Sequence, residues 1–102
     1  MNSRTSGIDP MKLQTIQACL DTQFRNVTFD QKIRPTFTYH HGDHKLSWLL
    51  VIHEEFFADQ MTLEELWQFI DAKVIKKILQ NPGKRIQVSK YWDVTVEERI
   101  HS

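Results

Sequence analysis

The sequence predicts a small α+β domain with the element order α-β-β-α-β, in which two helices pack on one face of a three-stranded antiparallel or mixed sheet. Three observations support this fold class. Two segments of the chain repeat apolar residues at the spacing of an amphipathic helix. A third segment contains two extended runs around a turn, and the last segment of the chain alternates apolar and polar residues. Strands and helices in this order fit two packed layers around one core.

Composition indicates one globular domain and excludes several classes of protein. The chain has 102 residues, of which 40% are hydrophobic and 25% are charged, and six Phe, three Trp and two Tyr supply large core residues. Lys and Arg total 13, as do Asp and Glu, so bulk charge favours neither a histone-like protein nor an acidic DNA mimic. We assign residues 1–9 to a flexible tail, 10–96 to the domain and 97–102 to a polar tail.

The sequence favours a cytoplasmic protein without a membrane segment. No run approaches the roughly 18 apolar residues of a membrane-spanning helix. The first residues, MNSRTSGIDP, lack the apolar core of a signal peptide. The single cysteine, Cys19, forbids an internal disulfide and suits a reducing compartment. Because no activating base lies near it in the sequence, we expect Cys19 to be a small buried hydrophobic residue.

The first helix is predicted over about 10–24. Asp9 is a suitable N-cap and Pro10 a suitable first helical residue. One apolar stripe follows at spacings of three and four, comprising Leu13, Ile16, Leu20 and Phe24. Residues 25–32 show no clear period, so we interpret them as a connection with a short extended piece at 27–29.

A β-hairpin is predicted between residues 34 and 53, with Gly42-Asp43 as a two-residue turn. This turn would place Tyr39 opposite Leu46 and Phe37 opposite Trp48. All of these side chains then share one face. Leu49 and Val51 also make the second face apolar, so we expect part of that face to be covered.

The second helix begins at a capping box in which Thr62 and Glu65 satisfy each other's backbone amides. Proline at position 82 ends it. Its buried stripe is Leu66, Ile70, Val74 and Ile78. Beyond it, the alternation from Ile86 to Val96 predicts one long strand, in which only Lys90 interrupts the apolar side. At a sheet edge, such a strand offers unpaired backbone groups to a partner strand or to a second copy of the chain.

The histidines near the predicted hairpin turn are the weak metal candidates of the chain. His41 and His44 would face each other across the turn, beside Asp43. Because a closed zinc site needs four ligands and the only cysteine is distant, we favour a solvated polar tip and expect no cofactor. No catalytic motif accompanies His53, and the HEEFF segment has Phe57 where a zinc protease motif needs its second histidine. We therefore expect a protein that is not an enzyme.

Charge is segregated along the chain despite the neutral total. The charged residues between positions 46 and 72 are all acidic, and those between positions 73 and 92 are all basic. This pattern complements the dipole of the second helix. An alternative interpretation is a small anion or nucleic-acid patch, with Tyr91 stacking on a base. The cations of that patch are Lys76, Lys77, Lys84, Arg85 and Lys90.

Surplus aromatic residues give the leading functional hypothesis. Phe56 and Phe57 are interpreted as exposed, and together with Trp67 and Tyr91 they would anchor a protein interface. The competing interpretation is that they close one end of the core. The favoured function is a non-enzymatic adaptor, regulator or inhibitor that binds a protein partner, or itself as a homodimer, through an edge strand and these aromatics. Nucleic-acid binding through the basic patch is the alternative.

Overall fold

Five strands form one mixed sheet, and two helices cover one of its faces. The structure, a computed structural model, describes residues 8–31, 33–42 and 46–97. The second helix runs from 63 to 80 and contains a π-helical turn, Ile70–Val74, between the segments called α2 and α3. A 3₁₀ turn, Glu54–Ala58, precedes it. The elements are α1 Pro10–Asp21, β1 Arg25–Gln31, β2 Pro35–His40, β3 Trp48–Ile52, α2 Leu63–Phe69, α3 Ile75–Gln80, β4 Arg85–Val88 and β5 Val94–Glu97.

The strands lie in chain order across the sheet, from β1 to β5. Neighbouring strands are antiparallel, except that β3 and β4 are parallel and are joined by the crossover through the second helix. Parallel neighbours need such a crossover because a tight turn only reverses the chain. The α+β class is confirmed, whereas the prediction of three strands is wrong.

The first additional strand, β1, lies in the segment predicted to be a connection and includes the short extended piece predicted at 27–29. Its register with β2 shifts between Arg25 and Thr28, and Asn26 between them has a φ of +55°. Such a β-bulge interrupts the alternation of side chains, which is the signal by which a strand is recognised in a sequence. The bulge is therefore the reason why the sequence pattern did not predict the full strand.

The second additional strand arises because the predicted long strand is a hairpin. The chain reverses between β4 and β5, where the Ser89 hydroxyl accepts hydrogen bonds from the amides of Tyr91 (3.0 Å) and Asp93 (3.2 Å). Trp92 has a φ of +68° in this turn. Across this reversal, even-numbered residues pair with even-numbered residues, as Val88 does with Val94. The apolar side chains of β4 and β5 therefore lie on the same face of the sheet. The alternation alone therefore did not reveal the turn.

The predicted hairpin between β2 and β3 exists, but its register is wrong by two residues. Tyr39 lies opposite Trp48, not Leu46, and Phe37 lies opposite Leu50. Leu46 is 80% exposed. Because side chains alternate with a period of two, a shift of two leaves every side chain on its predicted face. The connection is longer than the predicted turn; Gly42 has a φ of +60°, and Asp43 lies outside the described residues.

Both predicted helix starts are confirmed. The Asp9 carboxylate accepts a hydrogen bond from the Met11 amide (2.9 Å), and Thr62 and Glu65 form the capping box with two bonds of 3.0 Å. The first helix ends at Asp21, earlier than predicted, where the hydroxyl of Thr22 donates to the Cys19 carbonyl (2.6 Å). A Ser or Thr side chain that binds the backbone in this way competes with helix continuation.

The core lies between the helices and the face of the sheet that carries Phe37 and Leu50. Both helical stripes are buried there, and Cys19 is buried as predicted. Ile8 is also buried, so the core includes a residue from the segment assigned to the tail. Within the described residues, no helix is long and apolar enough to cross a bilayer.

Candidate functional site

The face of the sheet turned away from the helices forms the candidate site. In β2 the helix side is buried while Thr36, Thr38 and His40 on the other side stay partly exposed. Strand pairing sets these open-face side chains in transverse rows. One row contains Asp30, Thr36, Val51, Gln87 and Thr95. The next row contains Thr28, Thr38, Leu49, Arg85 and Glu97.

This face carries an open hollow of about 580 Å³. Its volume lies within the range of about 300–1,000 Å³ that is usual for ligand sites. A second hollow, of about 110 Å³, shares Arg34, Val51 and Gln87 with the first and extends toward His53 and Ser89. The lining of the larger hollow is Asp30, Ile33, Arg34, Thr36, Thr38, Leu49, Val51, Arg85, Gln87 and Glu97.

The floor of the larger hollow is apolar and its sides are polar. Leu49 and Val51 of the central strand β3 form the floor. Threonine hydroxyls flank them on β2, and the amide of Gln87 flanks them on β4. An apolar floor with a few hydrogen-bonding groups is the usual composition of a binding site. Val51 is buried, with an exposed fraction of 8%, and Leu49 is partly exposed, so part of this face is covered as expected from the sequence.

The charged side chains around the hollow differ in how they are paired. Arg85 forms an ion pair with Glu97 (3.3 Å), and Glu97 also accepts a hydrogen bond from Gln87 (2.7 Å). The guanidinium of Arg34 makes neither kind of contact with any described residue. Among the described residues, Arg34 is therefore the cation of the lining whose guanidinium has no carboxylate partner.

The exposure predicted for Phe56 and Phe57 is wrong. Both lie in the 3₁₀ turn and are buried, with exposed fractions of 0% and 3%. The Phe56 ring packs on the rings of Phe57, Phe69 and Trp92 at centroid distances of 5.5, 5.7 and 4.9 Å. A single short turn has no periodicity that would have shown its inward direction in the sequence. These two residues close one end of the core.

The other two predicted interface aromatics are exposed, on different elements. Trp67 on α2 is 37% exposed, and its carbonyl accepts a hydrogen bond from the Cys19 thiol (3.7 Å). Burial, together with the nearby Asp71 carboxylate, raises the pKa of Cys19 to about 11. Tyr91 is 73% exposed and lies in the turn after Ser89, a residue of the smaller hollow. Tyr91 is therefore the predicted aromatic closest in the chain to the candidate site.

The predicted cationic patch is distributed over separate surfaces. Lys76 and Lys77 lie on α3, on the helical side of the sheet, whereas Arg85 lines the hollow on the open side. Lys90 pairs with Glu55 (3.3 Å), a contact that raises the pKa of Lys90, and it lies 5.3 Å from the Tyr91 ring centre. Lys84 precedes β4 and Tyr91 follows it, so the strand separates Lys84 from the predicted stacking ring.

The histidine candidates do not form a metal site among the described residues. The His41 ring packs against Phe24 and Trp48, with centroid distances of 5.5 and 5.3 Å. His44 and Asp43 lie outside the described residues. Across the part of the chain that the structure describes, no group of three potential metal ligands comes together.

No protein-family model matches the sequence, and neither a curated protein nor a solved structure is significantly similar to it. The open face is therefore a candidate site on the basis of its geometry alone. Of its residues, only Arg85 was a predicted site residue. The signal in the sequence was the apolar pair Leu49 and Val51 on the second hairpin face, which was interpreted as a partly covered face and not as a binding surface.

Proposed function

We propose that the protein is a cytoplasmic, non-enzymatic interaction module that binds a protein partner through the open face of its sheet. The concave hollow with an apolar floor carries this proposal. Apolar surface at the bottom of a concavity favours binding because a ligand that fills it removes that surface from water. The edge strand β5 contributes Thr95 and Glu97 to the two hollows, and Tyr91 follows Ser89 of the smaller one, so both extend the proposed interface.

The two edges of the sheet differ in their capacity to pair with a partner strand. At one edge, β1 carries the bulge at Asn26, which disturbs regular pairing and is a common protection of sheet edges. At the other edge, β5 is regularly paired with β4 through all four of its residues. A partner strand that adds to β5 would lie beside Thr95 and Glu97 of the open face. We therefore place the predicted edge-strand contact at β5.

A selection with displayed random dodecapeptides tests this function on the full chain. Leu49→Lys puts a charged side chain onto the floor of the hollow, and Ala72→Lys makes the same charge change on the exposed helical side. Selected peptides should bind Leu49→Lys about tenfold more weakly, which corresponds to roughly 1.4 kcal/mol, and should bind Ala72→Lys as well as the native chain. Peptides that bind both variants equally, or a selection that yields none, would contradict the proposal.

Nucleic-acid binding, the alternative function expected from the sequence, stays a prediction. Two of its five cations, Arg85 and Lys90, are paired with carboxylates. Its test is the anisotropy of labelled oligonucleotides, titrated at about 50 and 200 mM salt, because phosphate contacts weaken steeply over this range.

A further inference from the structure

We propose that the segment bound by the open face is an extended acidic peptide of the partner, whose carboxylate binds Arg34 while two alternate apolar side chains lie on Val51 and Leu49. This inference rests on the proposed function and names the chemistry of the partner. Its central observation is that the guanidinium of Arg34, beside an apolar floor, pairs with no residue that the structure describes.

Arg34 is the available cation of the hollow. The other arginine of the lining, Arg85, already has a carboxylate partner at 3.3 Å in Glu97. A guanidinium presents several donors in one plane and binds a carboxylate through two parallel hydrogen bonds. Asp30, the other carboxylate of the lining, already has an interaction partner. Charge complementarity therefore favours a ligand with a carboxylate at Arg34.

Because of the position of Arg34, its ion pair with a bound peptide is expected to be stronger than an ion pair on an exposed surface. Arg34 lines both hollows, and Val51 lies in both of them beside it. A peptide on this floor excludes water from one side of the ion pair, and a lower local dielectric strengthens the attraction. The chain is also fixed at this point, because the Thr36 hydroxyl donates to the Arg34 carbonyl (2.9 Å) immediately before β2.

The spacing of the rows favours an extended peptide. Arg34 lies two residues before Thr36, which pairs with Val51, and Thr38 of the following row pairs with Leu49. Successive rows are therefore about 7 Å apart, the distance between alternate residues of an extended chain. A peptide along β3 would place an acidic residue at Arg34, an apolar residue two positions away at Val51 and another four positions away at Leu49.

Peptides selected on the native chain, on Arg34→Glu and on the matched control Lys76→Glu test this arrangement. The control makes the same charge reversal at an exposed residue of α3. Native and control selections should be enriched in Asp or Glu, spaced by two and four residues from apolar residues. The Arg34→Glu selection should replace the acidic residue with Lys or Arg. Melting curves establish that each variant is folded before selection.

Binding of a selected peptide to Arg34→Gln gives the quantitative test. We expect its affinity to fall about tenfold, and the salt dependence of native binding to weaken in the variant. Peptides that require Leu49 but bind Arg34→Gln normally would overturn the acidic-peptide inference and leave the proposed function intact. Peptides indifferent to both residues, or no peptides, would overturn both. Dimers of the chain that Arg34→Gln disperses would instead identify a second copy as the occupant and refute the inference.

Discussion

At the scale of single residues, Tyr39 is the most unusual member of the core. Its side chain is fully buried, with its ring 4.7 Å from that of Phe24 and 6.5 Å from that of Trp48. Its hydroxyl has no hydrogen-bond partner among the described residues, and burial raises the pKa of Tyr39 above its usual range. A buried hydroxyl without a partner costs stability because it gives up its bonds to water.

Tyr39→Phe should therefore leave the free energy of unfolding unchanged or raise it by about 1 kcal/mol, as measured by urea denaturation near pH 7. The pH dependence gives a second readout. The folded state prefers the neutral phenol, so its contribution is present below the unfolded pKa of about 10 and is lost as the pH rises above it. The variant should accordingly lose less stability than the native chain in alkaline solution. A loss of 1 kcal/mol or more at pH 7 would show that the hydroxyl makes a stabilising bond.

At the scale of elements, the bulge in β1 depends on one backbone conformation. Asn26 has a φ of +55°, in the left-handed region. Asparagine tolerates this conformation better than most residues, glycine adopts it freely, and β-branched residues are strongly disfavoured in it. The bulge in turn separates Arg25 from the regular part of the ladder. The same chain segment is held by a hydrogen bond from Arg25 to the Gly42 carbonyl (2.5 Å).

Substitutions at Asn26 should show this dependence. We expect Asn26→Gly to remain within about 0.5 kcal/mol of the native stability, and Asn26→Val to lower it by about 1–2 kcal/mol. Thr28→Val is the matched control, because Thr28 is exposed in the same strand and pairs regularly with Thr38. Thermal or urea unfolding of the three variants makes the comparison. Equal stability of Asn26→Val and the control would show that the bulge does not require a left-handed residue.

The elements also show which structural features could be predicted from the sequence and which could not. Caps are local, so Asp9 and the Thr62–Glu65 box identified both helix starts. The bulge in β1 and the turn at Ser89 change strand count without changing which residues are apolar, so patterning could not reveal them. The register between β2 and β3 depends on the length of their connection, which the glycine at 42 alone did not determine.

At the scale of the whole molecule, the candidate site depends on which face of the sheet the two helices cover. The sequence predicted that part of the second hairpin face would be covered, and on that face Val51 is buried while Leu49 is partly exposed. Phe56 and Phe57, in contrast, were expected at the surface and lie in the core. Local patterning indicates that a residue is apolar, but the arrangement of all elements decides which apolar residues are buried. The candidate site is therefore defined by the tertiary arrangement and not by the sequence pattern alone.

This assembly predicts opposite outcomes for two aromatic substitutions that the sequence alone treated as equivalent. Phe57→Asp would place a carboxylate among buried rings, and the cost of several kcal/mol is comparable to the roughly 5–15 kcal/mol that hold a small domain folded. We expect this variant to be unfolded by circular dichroism and by the loss of NMR dispersion. Tyr91→Asp makes the same change at an exposed residue, so it should stay folded.

Peptide binding distinguishes the remaining roles. Tyr91→Asp should weaken binding of peptides that reach beyond the smaller hollow, because Tyr91 follows Ser89 at its border. Trp67→Ala changes a partly exposed residue on the helical side and should leave peptide binding to the open face unchanged. If Trp67→Ala abolished binding while Leu49→Lys did not, the interface would lie on the helices. A folded Phe57→Asp variant would in turn place Phe57 at the surface and restore the aromatic interface as the site of partner binding.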